Sequence, residues 1–161
     1  MLSNPLRYPP PMSRRRVLAT ALATVAAALL APVPALRAES PAVTVYKTST
    51  CHCCSKWVDH LRAAGFPVVA HDVENLDEIK ALQGVPLVLR SCHTALVGGY
   101  LIEGHVPAPV IERLLRERPR LGGLAVPGMP VGSPGMEGPN PEPYQVLAFD
   151  ASGRVQVYSR H

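Results

Sequence analysis

The sequence predicts one α/β domain whose strands and helices follow the order β-α-β-α-β-β-α. Three observations carry this. Short runs rich in β-branched residues (Val43–Lys47, Pro67–His71, Val85–Leu89) alternate with stretches whose apolar residues recur at helical spacing. Gly65 and Gly84 stand where the intervening helices must end. The pattern fills about 75 residues of a 161-residue chain, which is room for a single domain.

Each element follows from its residues. Val43, Val45 and Lys47 alternate against Thr44 and Tyr46, the period of a strand. Thr48-Ser49-Thr50 offers turn and capping chemistry ahead of a helix from Cys54 to Ala64, where Trp57, Val58, Leu61 and Ala64 share a face. Pro67–His71 is the second strand. Between Asp72 and Gln83 a short amphipathic helix presents Leu76, Ile79 and Leu82. Val85–Leu89 is expected as a third strand, with Pro86 at its start, where a missing N–H is tolerated. Ser91–Thr94 is then a turn, and Ala95–Glu103 a fourth strand weakened at Gly98-Gly99. Val110–Glu117 is a last helix, set between Pro107, Pro109 and Pro119. Residues 121–143 are rich in Gly and Pro, and such a stretch in a small domain is more often functional or disordered than a mere connection. Tyr144–Phe149 and Val155–Tyr158, joined through Asp150 and Gly153, close the chain as a hairpin.

The charge is unevenly placed. The chain holds 16 Lys+Arg against 12 Asp+Glu, a formal net charge of +4, which would ordinarily suggest nucleic acid or a membrane surface. Arg7, Arg14, Arg15, Arg16 and Arg37 all lie in residues 1–38, where there is no acid, so residues 39–161 carry 11 basic and 12 acidic groups. The domain itself is near-neutral, and no nucleic-acid partner is expected.

Ser13-Arg14-Arg15-Arg16-Val17-Leu18 opens an uncharged apolar run to Ala31, followed by Pro32, Pro34 and the small residues Ala35 and Ala38. That order describes an export signal. The run falls short of the about 20 residues a membrane span needs. The paired arginines resemble a twin-arginine signal, although Val17 stands where phenylalanine is commonest; a Sec signal and an uncleaved anchor are the alternatives. The expected organisation is therefore an export signal at 1–38, an α/β domain at 39–120, and a C-terminal extension with its hairpin at 121–161. Cleavage near Ala35 or Ala38 leaves a periplasmic protein with no stable membrane span.

Export places Cys51, Cys53, Cys54 and Cys92 outside the cytoplasm, where a disulfide framework is the plain expectation. Three of them fall within four residues, however, so only Cys92 is able to staple a distant segment to the cluster. Reactive or metal-binding chemistry suits the cluster better. A strand, a short loop, Cys51-x-x-Cys54 and a helix place the thiols at a helix N-terminus, whose unpaired N–H groups and partial positive charge stabilise a thiolate. Pro86, ahead of the strand pair, matches the place where thioredoxin-like proteins carry a cis-proline beside the active site. Element order, CxxC and proline together predict a thioredoxin-like fold, with Cys51 and Cys54 as its catalytic pair.

Cys53 does not suit a plain dithiol enzyme, because a third thiol invites wrong disulfides. Three thiolates on one turn suit a soft metal: Cu(I), zinc or iron–sulfur. Zinc would want a closed set of four, here the three cysteines with Cys92 or a histidine. Met129 and Met136 are the methionines of the mature part, both within Gly128–Glu137, and thioether favours Cu(I) over zinc; ordinary gap-filling is the competing role. Strand geometry favours His105 over Cys92 as a further ligand. A strand leaving the site at Pro86 puts its far turn roughly 15–17 Å away, at about 3.3 Å per residue, while the returning strand brings His105 back towards Cys51.

Lys47-Thr-Ser-Thr-Cys-His-Cys-Cys-Ser-Lys-Trp-Val-Asp-His-Leu61, Ser91-Cys-His-Thr-Ala95, Glu103-Gly-His-Val-Pro107 and the Gly122–Glu137 segment resemble the CopG-like periplasmic copper-resistance proteins, also catalogued as domain of unknown function 411. The resemblance covers almost the whole mature chain. It implies a thioredoxin domain whose C-terminal extension helps bind metal. It also implies a multi-copper site bridged by cysteines at Cys51, Cys53 and Cys54, and an oxidoreductase role interconverting Cu(I) and Cu(II) in copper resistance. It draws Cys92 and His93 into a metal set with His105, Met129 and Met136. His52 departs from the family, where glycine is usual; facing solvent is the expectation, with copper ligation or tuning of the thiolates as the alternatives. The partners expected are copper ions and periplasmic copper-efflux or electron-transfer proteins. Two other readings stay open: a thiol–disulfide oxidoreductase using Cys51 and Cys54, and a passive copper or zinc carrier.

Overall fold

A computed structural model describes residues 40–161, so the export signal read at residues 1–38 lies outside the described residues. Strand β1 (Val43–Lys47) buries Val43, Val45 and Lys47, as its alternation requires. It pairs parallel with β2 (Val68–Asp72) and antiparallel with β3 (Thr94–Val97), and β4 (Tyr100–Glu103) returns antiparallel to β3. Helix α1 (His52–Ala63) follows β1, α2 (Leu76–Leu82) follows β2, and α3 (Ala108–Glu117) follows β4. The order β-α-β-α-β-β-α stands. Trp57, Val58 and Leu61 of α1 and Ile111 and Leu114 of α3 pack with Val43, Val45 and Ile102 in the main core. Each large apolar side chain buried there contributes about 1.5–3 kcal/mol.

The extension continues the same sheet. Strand β5 (Gly123–Ala125) runs parallel to β4, and β6 (Gln145–Phe149) and β7 (Val155–Arg160) follow antiparallel, giving the order β2-β1-β3-β4-β5-β6-β7. Gly123 allows β5 to approach, since a Cβ there would run into the Leu101 carbonyl and the Phe149 ring. The expected closing hairpin forms, its turn held by the Gly153 N–H donating to the Asp150 carbonyl at 3.0 Å.

Three expectations need correction. Val85–Leu89 is not a strand: Leu87–Leu89 is one turn of 3₁₀ helix, with Leu87 and Val88 exposed. A short apolar run next to a proline cannot be assigned by periodicity alone. Nor is Ala95–Glu103 a single strand. It folds back as the β3–β4 hairpin, with Gly98 (φ 56°) and Gly99 (φ 90°) at the turn. Two successive positive φ values are what a two-residue hairpin turn demands, and glycine meets them without strain. The peptide bond at Pro86 is trans, as are all those among the described residues, so the cis-proline expectation also fails.

These shifts move the strand pair along the chain. Thr94 now stands opposite Tyr46, which sets Cys92 and His93 level with the end of β1, where α1 begins. Helix α2 keeps Leu76 and Ile79 half-buried as expected, but Leu82 is 74% exposed and Lys80 is buried in its stead. Among the described residues no helix is long and apolar enough to cross a membrane.

Candidate metal and redox centre

Beyond Lys47 the chain turns sharply, the Cys51 N–H donating to the Thr48 carbonyl at 3.1 Å. Cys51 is the N-cap of α1 in an extended conformation, without a side-chain cap and with no acid in the first turn. The first-turn N–H groups and the positive helix end are therefore directed at the sulfurs. The i, i+3 spacing sets Cys51 and Cys54 side by side, with Cα atoms 5.3 Å apart, and they form a disulfide. Cys53 and Cys92 carry free thiols.

All four Sγ atoms lie within 4.8 Å of one another. Cys53 Sγ is 3.5 Å from Cys51 Sγ and 3.9 Å from Cys92 Sγ. Cys92 thus belongs to the cluster, against the strand geometry that placed it roughly 15–17 Å away at about 3.3 Å per residue. Burial pushes the Cys92 thiol up to about 11, and the neighbouring Cys53 adds to this.

Two buried imidazoles belong to the same part of the fold but stand outside the four-sulfur group. His93 and His105 are both fully buried, with ring centroids 5.1 Å apart, and His93 lies 4.2 Å from the Trp57 ring. His105 Nδ1–H donates to the Pro134 carbonyl at 2.7 Å, which leaves Nε2 with its lone pair. That nitrogen and both ring nitrogens of His93 have no hydrogen-bond partner among the described residues. An orphaned buried polar group costs about 1–3 kcal/mol, and at His93 the Gly104 backbone offsets part of that cost. Burial holds His93 well below the ordinary histidine value, with His105 contributing, and burial also lowers His105. Both are therefore neutral, the form that ligates metal.

The extension reaches the same place. Gly135 (φ 88°) sits so close to α1 that a Cβ would meet the Cys53 carbonyl at 2.7 Å and the Trp57 nitrogen at 3.0 Å. Its N–H donates to the Glu137 carboxylate at 2.6 Å. Met136 is half-buried and, with His52, Cys53, Lys56 and Glu137, lines a cavity of about 520 Å³. His52 is exposed at its rim. Met129 is 54% exposed, and the carbonyl of Gly128 before it accepts the Ser91 hydroxyl at 2.5 Å.

Residues 89–136 match the family model described as "Protein of unknown function, DUF411". Two solved structures, described as "Copper resistance protein copG- Form 2" and "Copper resistance protein copG- Form 1", are each 44% identical and cover 76% of this chain. Their TM-scores are 0.73 and 0.72, and 99% and 98% of their own chains are covered. The chain belongs to the CopG-like copper-resistance family. No curated protein matches it.

The CopG-like centre rests on a pair of residues that sequence reading missed. Glu103 is fully buried and accepts hydrogen bonds from Lys80 Nζ (2.5 Å), the Ser91 N–H (2.6 Å) and the Thr94 hydroxyl (2.7 Å). Lys80 Nζ also donates to Thr94 Oγ1 at 3.0 Å. Burial pushes the Glu103 carboxyl up, and the Lys80 charge beside it opposes that shift. The available signal was a glutamate ending an otherwise apolar strand, since acids are almost never fully buried unless paired. Nothing in the α2 periodicity named Lys80 as its partner.

Proposed function

We propose that this protein binds copper as its substrate at the four-sulfur cluster and acts as a periplasmic oxidoreductase interconverting Cu(I) and Cu(II) in copper resistance. The observation that carries this is the set of four Sγ atoms within 4.8 Å, backed by buried imidazoles with three unpartnered nitrogens. Thiolate, neutral imidazole and thioether are the donors that favour Cu(I) over harder cations. The names of the two 44%-identical structures support the same metal.

Cys51, Cys53, Cys54 and Cys92 are the sulfur ligands, with room for more than one ion among them. His93 and His105 supply nitrogen, and Met136, beside Cys53 at the cavity, supplies thioether; Met129 is the outer candidate. Among the cysteines only thiolates ligate, so reduction of the Cys51–Cys54 disulfide doubles the cysteine sulfurs on offer. Those two cysteines are accordingly the redox-active pair. Export through the segment at residues 1–38 delivers the protein to the periplasm, where copper-efflux or electron-transfer proteins are its partners.

The Cys51–Cys54 disulfide at a helix N-terminus favours a second reading, a thiol–disulfide oxidoreductase with no need of metal. Copper loading of anaerobically reduced protein separates the two. More than one copper per chain, lost in Cys53→Ser, is the expected result. Insulin-disulfide reduction without metal, undiminished in Cys53→Ser, would favour the second reading. Steady-state oxidation or reduction of added copper distinguishes an enzyme from a carrier.

A further inference from the structure

The disulfide Cys51–Cys54 leaves two thiols in the same cluster, Cys53 and Cys92, and these are 3.9 Å apart. Cys53 also lies 3.5 Å from Cys51 Sγ, within reach of the existing disulfide. Cys92 is not loosely placed. Glu103 accepts from the residue before it, through the Ser91 N–H, and from the residue after His93, through the Thr94 hydroxyl. One buried carboxylate thus grips both sides of the Cys92-His93 turn, and buried Lys80 neutralises it. Removing either charge would leave the other buried and uncompensated, so the turn is held firmly facing α1.

We propose that Cys53 and Cys92 form a second dithiol/disulfide couple that exchanges internally with Cys51–Cys54, and that the Lys80–Glu103 clamp sets how far the exchange runs. The Cys53 thiolate attacks Cys51 Sγ; a Cys51–Cys53 bond forms, the Cys51–Cys54 bond breaks, and the electron pair leaves on Cys54. The Cys92 thiolate then attacks Cys53 Sγ; a Cys53–Cys92 bond forms, the Cys51–Cys53 bond breaks, and the pair leaves on Cys51. The protons of Cys53 and Cys92 end on Cys54 and Cys51. One disulfide is lost and one gained, so no outside oxidant or reductant enters. Cys53 then has a role in thiol chemistry, as the relay between the two couples. The proposal rests on reading the cluster as redox-active, but it needs no copper.

The test uses metal-free protein carrying one disulfide per chain, equilibrated at pH 8, acid-quenched, alkylated and digested with trypsin. Cleavage after Lys47, Lys56 and Arg90 separates Cys92 from the other three cysteines, so only a bond to Cys92 joins two peptides. The expected result is a joined peptide whose fragmentation assigns Cys53–Cys92, absent in Cys53→Ser, at a ratio to Cys51–Cys54 that is the same from either starting form. Glu103→Gln should lower that ratio about tenfold, the lower end for a hydrogen bond to a charged group, and Thr94→Val about threefold. Thr94→Ser, which keeps the hydroxyl, should leave it unchanged. Wild-type protein without the joined peptide overturns the exchange. A ratio that both Glu103→Gln and Thr94→Val leave unchanged overturns the clamp, and Thr94→Val alone decides if Glu103→Gln does not fold. Copper loading that fails while the exchange persists refutes only the copper reading, and the converse refutes only the exchange.

Discussion

Gly135→Ala should loosen the extension from the sulfur cluster without disturbing the sheet. Gly135 has φ 88°, a conformation that costs an L-residue about 1–2 kcal/mol. The new methyl would also stand 2.7 Å from the Cys53 carbonyl and 3.0 Å from the Trp57 nitrogen, and both are backbone atoms of α1 that cannot swing aside. The segment must therefore withdraw, and the bond from His105 Nδ1 to the Pro134 carbonyl, worth about 0.5–1.5 kcal/mol, goes with it. The expected loss is about 1.5–3.5 kcal/mol from these two contributions together. It should be largely local, because β5 and β6 are paired on either side of the loop. The assay is hydrogen exchange of residues 131–138 together with the alkylation rate of Cys53, which lines the cavity beside Met136. Both should rise in the variant, with exchange in β1 and β3 unchanged. Wild-type exchange at 131–138 and an unchanged Cys53 rate would refute the close approach of the extension to α1.

Stability should fall with acid, in part through His60, whose Nε2 accepts the Ala108 N–H at 3.1 Å and so caps α3. Burial lowers the His60 value below 6.5, so the unfolded chain takes up the proton first. The cap's contribution, about 1 kcal/mol, is present above that pH and lost as pH falls through the folded value; urea unfolding at pH 8 and pH 5 should show a smaller difference in His60→Ala. Glu103→Ala should destabilise by about 3–5 kcal/mol, because Lys80 is left buried without its partner, while Lys80→Met with Glu103→Leu should cost far less; denaturant midpoints check both. Met136→Leu should weaken Cu(I) binding in a competition titration more than Met129→Leu does, since Met136 lines the cavity with Cys53 and Met129 is 54% exposed. Unchanged affinity in both variants would remove the thioethers from the ligand set.

Much of what depends on neighbours in the chain was legible in the sequence, the Gly98-Gly99 turn and the Leu87–Leu89 turn excepted. Strand, turn and helix follow one another from Val43 to Ala63 without interruption. The spacing of Cys51, Cys53 and Cys54 therefore put three sulfurs at a helix start before any tertiary contact was known. The 3.6-residue period named Trp57, Val58, Leu61 and Ala64 as one face; the first three are buried, and Ala64 at the helix end is exposed. The closing hairpin was legible for the same reason, since Asp150 and Gly153 make its turn locally.

The tertiary structure alone decided what crosses the sheet. Val85–Leu89 has the composition of a strand, yet β1 pairs instead with Thr94–Val97, because the turn at Gly98-Gly99 lets β3 and β4 bury Ala95, Val97, Tyr100 and Ile102 together. A change of register moves every side chain it carries, and here it brought Cys92 to the cluster and His93 against Trp57 and His105. It also joined Lys80 to Glu103, 23 residues apart, in a pairing that no local pattern encodes. Spacing along the chain set the chemistry within one turn of helix. Burial of apolar surface across the sheet set the register, and with it the fourth sulfur, the paired imidazoles and the charged clamp behind them.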